Sequence, residues 1–169
     1  MRYTMRHAFD TDIDMFWKLC FNADFNHALL QAVGGSVTRE VLEERTDENG
    51  VRHRRVKYTA KVKMPAIAKP IFGDASVFEY TEIGQYLPEQ NKYLVEFVPG
   101  IAADKFTVKG EILVEPLGDK QCERIMTLEN TVSIFGLGKT IEKLLEKSQR
   151  ESQEQIVAFT NQYIRDIAP

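Results

Sequence analysis

The sequence predicts an α+β fold: a curved, seven-stranded antiparallel sheet wrapped around one long C-terminal helix, in the order β-α-α-β6-α. Three observations predict it. Segments of period-two alternation recur along the chain, tight-turn residues separate most of them, and from Lys139 to about Asp166 there is neither Gly nor Pro. Consecutive antiparallel strands curl and need a cover, which the long helix supplies.

Residues 2–9 form the first expected strand, with Tyr3, Met5, His7 and Phe9 opposing Arg2, Thr4, Arg6 and Ala8. Thr11-x-x-Asp14 resembles a capping box with Asp in place of Glu, opening a helix that carries Ile13, Phe16, Trp17 and Cys20. Asn22-Ala23-Asp24 breaks and recaps the chain, and a second short helix carries Phe25, Ala28, Leu29 and Val33 until Gly34-Gly35 stops it. Strands follow at 36–45 and 51–62, around the hairpin signal Asn49-Gly50. Further strands are expected at 75–84, 92–98, 105–116 and 121–134, the last two joined through Gly118-Asp119-Lys120. Neither a repeat nor a linker interrupts residues 1–169, so one domain is expected.

The later strands show one wet and one apolar face, as a half-buried antiparallel sheet should. Met126, Leu128, Asn130, Val132 and Ile134 oppose Glu123, Thr127, Glu129, Thr131 and Ser133. Phe106, Val108, Gly110, Ile112 and Val114 oppose Thr107, Lys109, Glu111 and Glu115; Val56, Tyr58, Ala60 and Val62 oppose Arg55, Lys57, Thr59 and Lys61. On the long helix, Ile141, Leu144 and Leu145 start an apolar stripe that Ile156, Phe159, Tyr163 and Ile167 resume. Between them the stripe passes through Ser148, Ser152 and Gln155. Small groups there leave room between helix and sheet, or the helix bows into water at its middle. The expected wall of such a space is Met5, His7, Tyr58, Val62, Tyr80, Phe97, Phe106, Val108, Ile112, Met126, Leu128, Asn130, Ser148 and Ser152. An inward Asn130 needs a partner, whether backbone, water or ligand. Arg124 shares its parity but lies near a turn, so a solvated end is expected, and His53 among Arg52, Arg54 and Arg55 reads as exposed.

Strand parity sends alternate loops to opposite ends. One end gathers Ile67, Ile71, Phe72, Ile101, Phe135 and Leu137 on loops, with Lys61, Lys63, Lys69, Lys105, Lys139 and Lys143 on or near it. Such tips either plug the core or gate it, and lysines around them suit transient contact with an anionic membrane.

Composition bounds the function. Hydrophobic residues make up 43% and charged residues 28%, and the net charge of −3 argues against nucleic acid as a partner. The two cysteines, Cys20 and Cys122, lack metal or redox spacing, so free thiols, no metal and no cofactor are expected. The N-terminus lacks the apolar run of a signal peptide, and no stretch approaches the roughly 20 apolar residues of a membrane span. A cytoplasmic monomer is expected. Nucleophile-elbow, zinc-protease and phosphate-loop motifs are absent.

The element order resembles the START-like, or helix-grip (SRPBCC), superfamily. Ser133-Ile134-Phe135-Gly136-Leu137-Gly138-Lys139-Thr140-Ile141-Glu142 resembles the entry into the last helix of an uncharacterised bacterial START-like family. His7-Ala8-Phe9-Asp10 is similar to the start of that family and of PRELI-type lipid-transfer domains, and the stretch from Phe106 to Ser133 is similar to sterol-binding VASt domains. The resemblance implies a hydrophobic small molecule or lipid held between sheet and helix, without a catalytic residue to carry over. It leaves open a cyclase- or aromatase-like enzyme, for which His7 with Tyr58 or Tyr80 is the available acid–base pair, and a co-chaperone-like module whose own side chains fill the cavity.

Overall fold

The structure is a computed structural model that describes residues 1–61, 66–69, 73 and 76–167. Its order is β1 (Arg2–Phe9), α1 (Ile13–Cys20), α2 (Ala23–Val33), β2 (Val37–Thr46), β3 (Arg52–Lys61), β4 (Val77–Leu87), β5 (Lys92–Pro99), β6 (Phe106–Gly118), β7 (Gln121–Val132) and α3 (Gly138–Ile167). The seven strands form one antiparallel sheet in the order β1-β7-β6-β5-β4-β3-β2, so each strand from β2 onward pairs with its sequence neighbour and β1 closes onto β7. This is the α+β architecture read from the sequence.

The short helices start differently from the capping-box expectation. Asp12, not Thr11, caps α1: its carboxylate accepts from the Met15 amide at 2.8 Å, while Thr11 is buried. Asn22 caps α2 by accepting from the Phe25 amide at 2.7 Å, satisfying an otherwise orphaned donor. The apolar face of α1 meets β6 and β7, and that of α2 meets α1 and α3. Phe16, Trp17, Leu19 and Phe25 pack with Phe9, Tyr93, Val95, Val114, Cys122 and Ile164 in the main core cluster. At the other end Phe106, Val108, Val132 and Ile141 form a second cluster, with Ile67 and Leu137 packed on it.

The outer face of the sheet is polar. Lys57–Glu79, Lys109–Glu96 and Arg6–Glu123 pair across neighbouring strands, where solvent screens them. The edge strand β2 carries a bulge between Val41 and Glu43, which blunts an open sheet edge.

Helix α3 packs on β7, β1 and α2. It therefore leans to one side of the curled sheet. Leu144 and Ile167, expected in its apolar stripe, are instead exposed.

Candidate functional site

Between α3, the two short helices and the concave face of the sheet lies a cavity of about 640 Å³, within the usual range for small-molecule sites. The interrupted stripe accounts for it. Ser148, Ser152 and Gln155 all line this space, together with Gln149 and Gln153 of the same helix. Ser148 and Ser152 are too short to fill the gap to the strands, whereas Gln149 and Gln153 reach across it to Asn130 and Arg124 of β7. Ser148, Ser152 and Gln155 are exposed.

Of the residues expected in the wall, Tyr58, Tyr80, Phe97, Phe106, Val108, Ile112, Met126, Leu128, Ser148 and Ser152 line the cavity. Met5 packs instead with Tyr3, Met126 and Leu128 in a cluster on β1 and β7. Asn130 is fully buried, and its amide donates to Gln149 Oε1 at 2.8 Å and to the Tyr3 hydroxyl at 3.4 Å. Its partners are thus protein side chains, and it stands outside the wall. His7 also stands outside it, half-buried and in contact with Arg124 at 3.1 Å. Val62 lies outside the described residues.

Arg124 corrects the expectation of a solvated strand end. It is 6% exposed and lines the cavity, because α3 folds back over this end of β7: its Nη2 donates to Gln153 Oε1 at 2.8 Å. His53 is half-buried rather than exposed, with Nε2 2.8 Å from the Asp47 carboxylate in the hairpin turn.

The most polar part of the wall is a buried cluster centred on Glu82. Arg54 Nη2 donates to Glu82 Oε1 at 2.8 Å, the Tyr93 hydroxyl donates to the same oxygen, and the Tyr58 hydroxyl donates to Oε2 at 3.2 Å. Arg54 also donates to the Cys20 carbonyl at 3.3 Å and lies over the rings of Phe21 and Tyr93. Burial works against the charged guanidinium, and Glu82 more than offsets it, so the Arg54 pKa is raised. Burial, reinforced by the Glu82 charge, pushes the Tyr58 phenol up to about 12 and raises Tyr93 as well. Burial, then the neighbouring Tyr58 and Glu82, likewise raises Tyr80, whose ring stacks on Tyr58 with centroids 5.0 Å apart. These phenols are hydrogen-bond donors at neutral pH. Gly84 makes the geometry possible: a Cβ there would sit 1.7 Å from the Tyr93 hydroxyl oxygen, so only glycine lets this ring cross the strand toward Glu82.

Sequence reasoning did not single out Arg54, Glu82 or Tyr93. The available signal was parity: Arg54 shares the phase of Val56 and Tyr58, and Glu82 that of Tyr80.

At the loop end, Ile67 and Leu137 are packed on the core, whereas Phe135 is 104% and Ile101 43% exposed. Ile71 and Phe72 lie outside the described residues. Among the described residues, no helix is long and apolar enough to cross a membrane.

A protein-family model described as "Protein of unknown function (DUF2505)" matches residues 4–164. The chain belongs to that family. No curated protein matches it by sequence. Solved structures do share its shape. The family member resembles TTHA0849 from Thermus thermophilus with a TM-score of 0.66 at 14% identity, over 100% of both chains. It resembles the Zhui aromatase/cyclase from Streptomyces sp. R1128 with a TM-score of 0.66 at 10% identity, covering 97% of this chain and 95% of that one. It resembles a START superfamily protein from Mycobacterium smegmatis with a TM-score of 0.64 at 13% identity, covering 96% and 98%. At such identities the likeness is one of fold, the START-like helix-grip fold.

Proposed function

We propose that this DUF2505 protein binds a hydrophobic ligand, lipid- or sterol-like in size, in the cavity between sheet and α3, and carries it rather than transforming it. One observation carries the reading: the apolar stripe of α3 is replaced by Ser148, Ser152 and Gln155 where the helix faces the cavity. A helix selected only to seal a core would place large aliphatic groups there. The opposite wall supplies Tyr58, Tyr80, Phe97, Phe106, Met126 and Leu128, an apolar surface with a few polar tips, as ligand sites have. The resemblance of the His7–Asp10 and Phe106–Ser133 segments to PRELI-type and VASt domains favours a lipid.

Exchange at the loop end fits the exposed Ile101 and Phe135. Each such side chain entering lipid gains about 1.5–3 kcal/mol and each nearby lysine about 1 kcal/mol at an anionic surface, enough for transient docking.

A cyclase-like activity is the second reading, favoured by the Glu82 carboxylate within the cavity wall. Against it, His7 stands outside the wall and Glu82 is taken up by Arg54, Tyr93 and Tyr58.

Filling the wall tests the ligand reading. Ser152→Leu should keep the fold, by circular dichroism, and weaken uptake of a fluorescent fatty-chain lipid. Unchanged uptake by a well-folded variant would remove the cavity assignment.

A further inference from the structure

The charge of the cavity wall is unbalanced. Its charged lining residues are Arg39, Arg54, Arg124 and Glu82. Glu82 is taken by Arg54 at 2.8 Å. Arg124 is just as buried, yet no described carboxylate lies within ion-pair distance of it. Its Nη2 contacts Gln153 Oε1 and His7 Nδ1, and its guanidinium lies 5.2 Å from the centre of the Phe9 ring. Its Nε has no hydrogen-bond partner among the described residues, and neither do the Nε atoms of Arg39 and Arg54.

The neighbours of Arg124 do not supply the missing charge. Gln153 is neutral. His7 accepts from Arg124, so its Nδ1 is unprotonated, and burial, then Arg124 and Arg150, hold its pKa below the ordinary value. The Cys20 thiol, influenced by both Arg124 and Arg54, is pushed up to about 12 by burial. Burial holds the Arg124 pKa down to about 10, which still leaves it protonated at neutral pH. A buried guanidinium has five donors and demands an anion or a full set of acceptors; here it has neither, and it faces a cavity.

We propose that the cavity takes an amphipathic acid, an apolar body bearing one carboxylate that pairs with Arg124. This rests on the ligand reading above and adds the chemistry of the headgroup. A planar guanidinium suits a carboxylate through paired, charge-assisted hydrogen bonds. Two sources fit the same chemistry, a long-chain fatty acid and a compact polycyclic acid.

Trp17 is the chain's single tryptophan and lines the cavity, so its fluorescence reports occupancy. The delipidated full chain is titrated with two matched pairs: oleate against oleyl alcohol, and pyrenebutyrate against pyrenebutanol. At least one acid should bind about tenfold or more tighter than its alcohol; which pair shows the gap identifies the source. Arg124→Met should abolish that gap, by weakening the acid about tenfold or more relative to its alcohol. Equal binding of acids and alcohols overturns this proposal and leaves the ligand reading standing. A gap that survives in Arg124→Met overturns the assignment to Arg124. Binding of none of the four probes overturns the ligand reading and this proposal with it. Should Arg124→Met fail to fold, Arg124→Gln takes its place, and the wild-type comparison of acid with alcohol decides whether a carboxylate is preferred.

Discussion

Glu82→Gln is the substitution whose cost follows most directly from the structure. The carboxylate accepts from Arg54, Tyr93 and Tyr58, and both members of the ion pair are under a tenth exposed. Glutamine keeps the shape and one acceptor oxygen but leaves the Arg54 guanidinium buried without a counter-charge. Breaking a buried pair from one side costs about 3–5 kcal/mol, which for a chain of this length lowers the melting temperature by about 6–20 °C. The double variant Arg54→Met/Glu82→Gln removes the stranded charge, so the second substitution should restore part of the loss. Thermal and urea denaturation of wild type, both single variants and the double variant close the cycle. A Glu82→Gln cost below about 1 kcal/mol, the figure for a solvent-screened surface pair, would refute the reasoning. So would a double variant less stable than Glu82→Gln alone.

Three further outcomes are expected. His7 has a lowered pKa from burial, Arg124 and Arg150; the unfolded chain therefore takes up this proton first, and stability falls as pH drops through about 6.5 and levels off below the folded pKa. His7→Gln should flatten that part of the stability–pH curve, and an unchanged curve would contradict the assignment. Gly84→Ala should displace Tyr93, whose hydroxyl and ring edge occupy the space of the new Cβ, costing about 1–3 kcal/mol by overpacking; in Tyr93→Ala, which removes the ring, the same substitution should cost measurably less. Changing Ile101 and Phe135 to Ser should slow ligand exchange with anionic vesicles more than it weakens affinity for ligand in solution, and an exchange rate equal to wild type would remove the membrane contact from the account.

Alternation carried the fold because it is a local property. Phe106, Val108, Ile112 and Val114 oppose Thr107, Lys109 and Glu111 whatever their partners, and the register of β6 on β7 follows, with Ile112 opposite Met126 and Phe106 opposite Val132. The gap in the α3 stripe was equally legible, since Ser148, Ser152 and Gln155 fall at helical spacing. Strand ends were less so. β7 stops at Val132, short of Ile134, where the close approach of Gly138 to the Val132 carbonyl turns the chain into α3.

The polar part of the site was hidden for a different reason. Periodicity assigns a face to Arg54, Glu82 and Arg124 but not a partner, and a charged residue in the inward phase near a turn is ordinarily solvated. Arg54 meets Glu82 28 residues away, and Arg124 meets Gln153 29 residues away. Those contacts exist only once β3 lies beside β4 and α3 folds back over β7. His7 and Asn130 show the converse: both have inward phase, but His7 meets Arg124, and Asn130 meets Gln149 and Tyr3, instead of the cavity.

Native mass spectrometry of the freshly purified protein, followed by extraction and identification of whatever leaves it, tests the central claim most directly. A species heavier than the bare chain by the mass of one apolar small molecule is expected, absent or reduced in Ser152→Leu. A bare chain that also takes up none of a panel of lipids and amphipathic acids would contradict it.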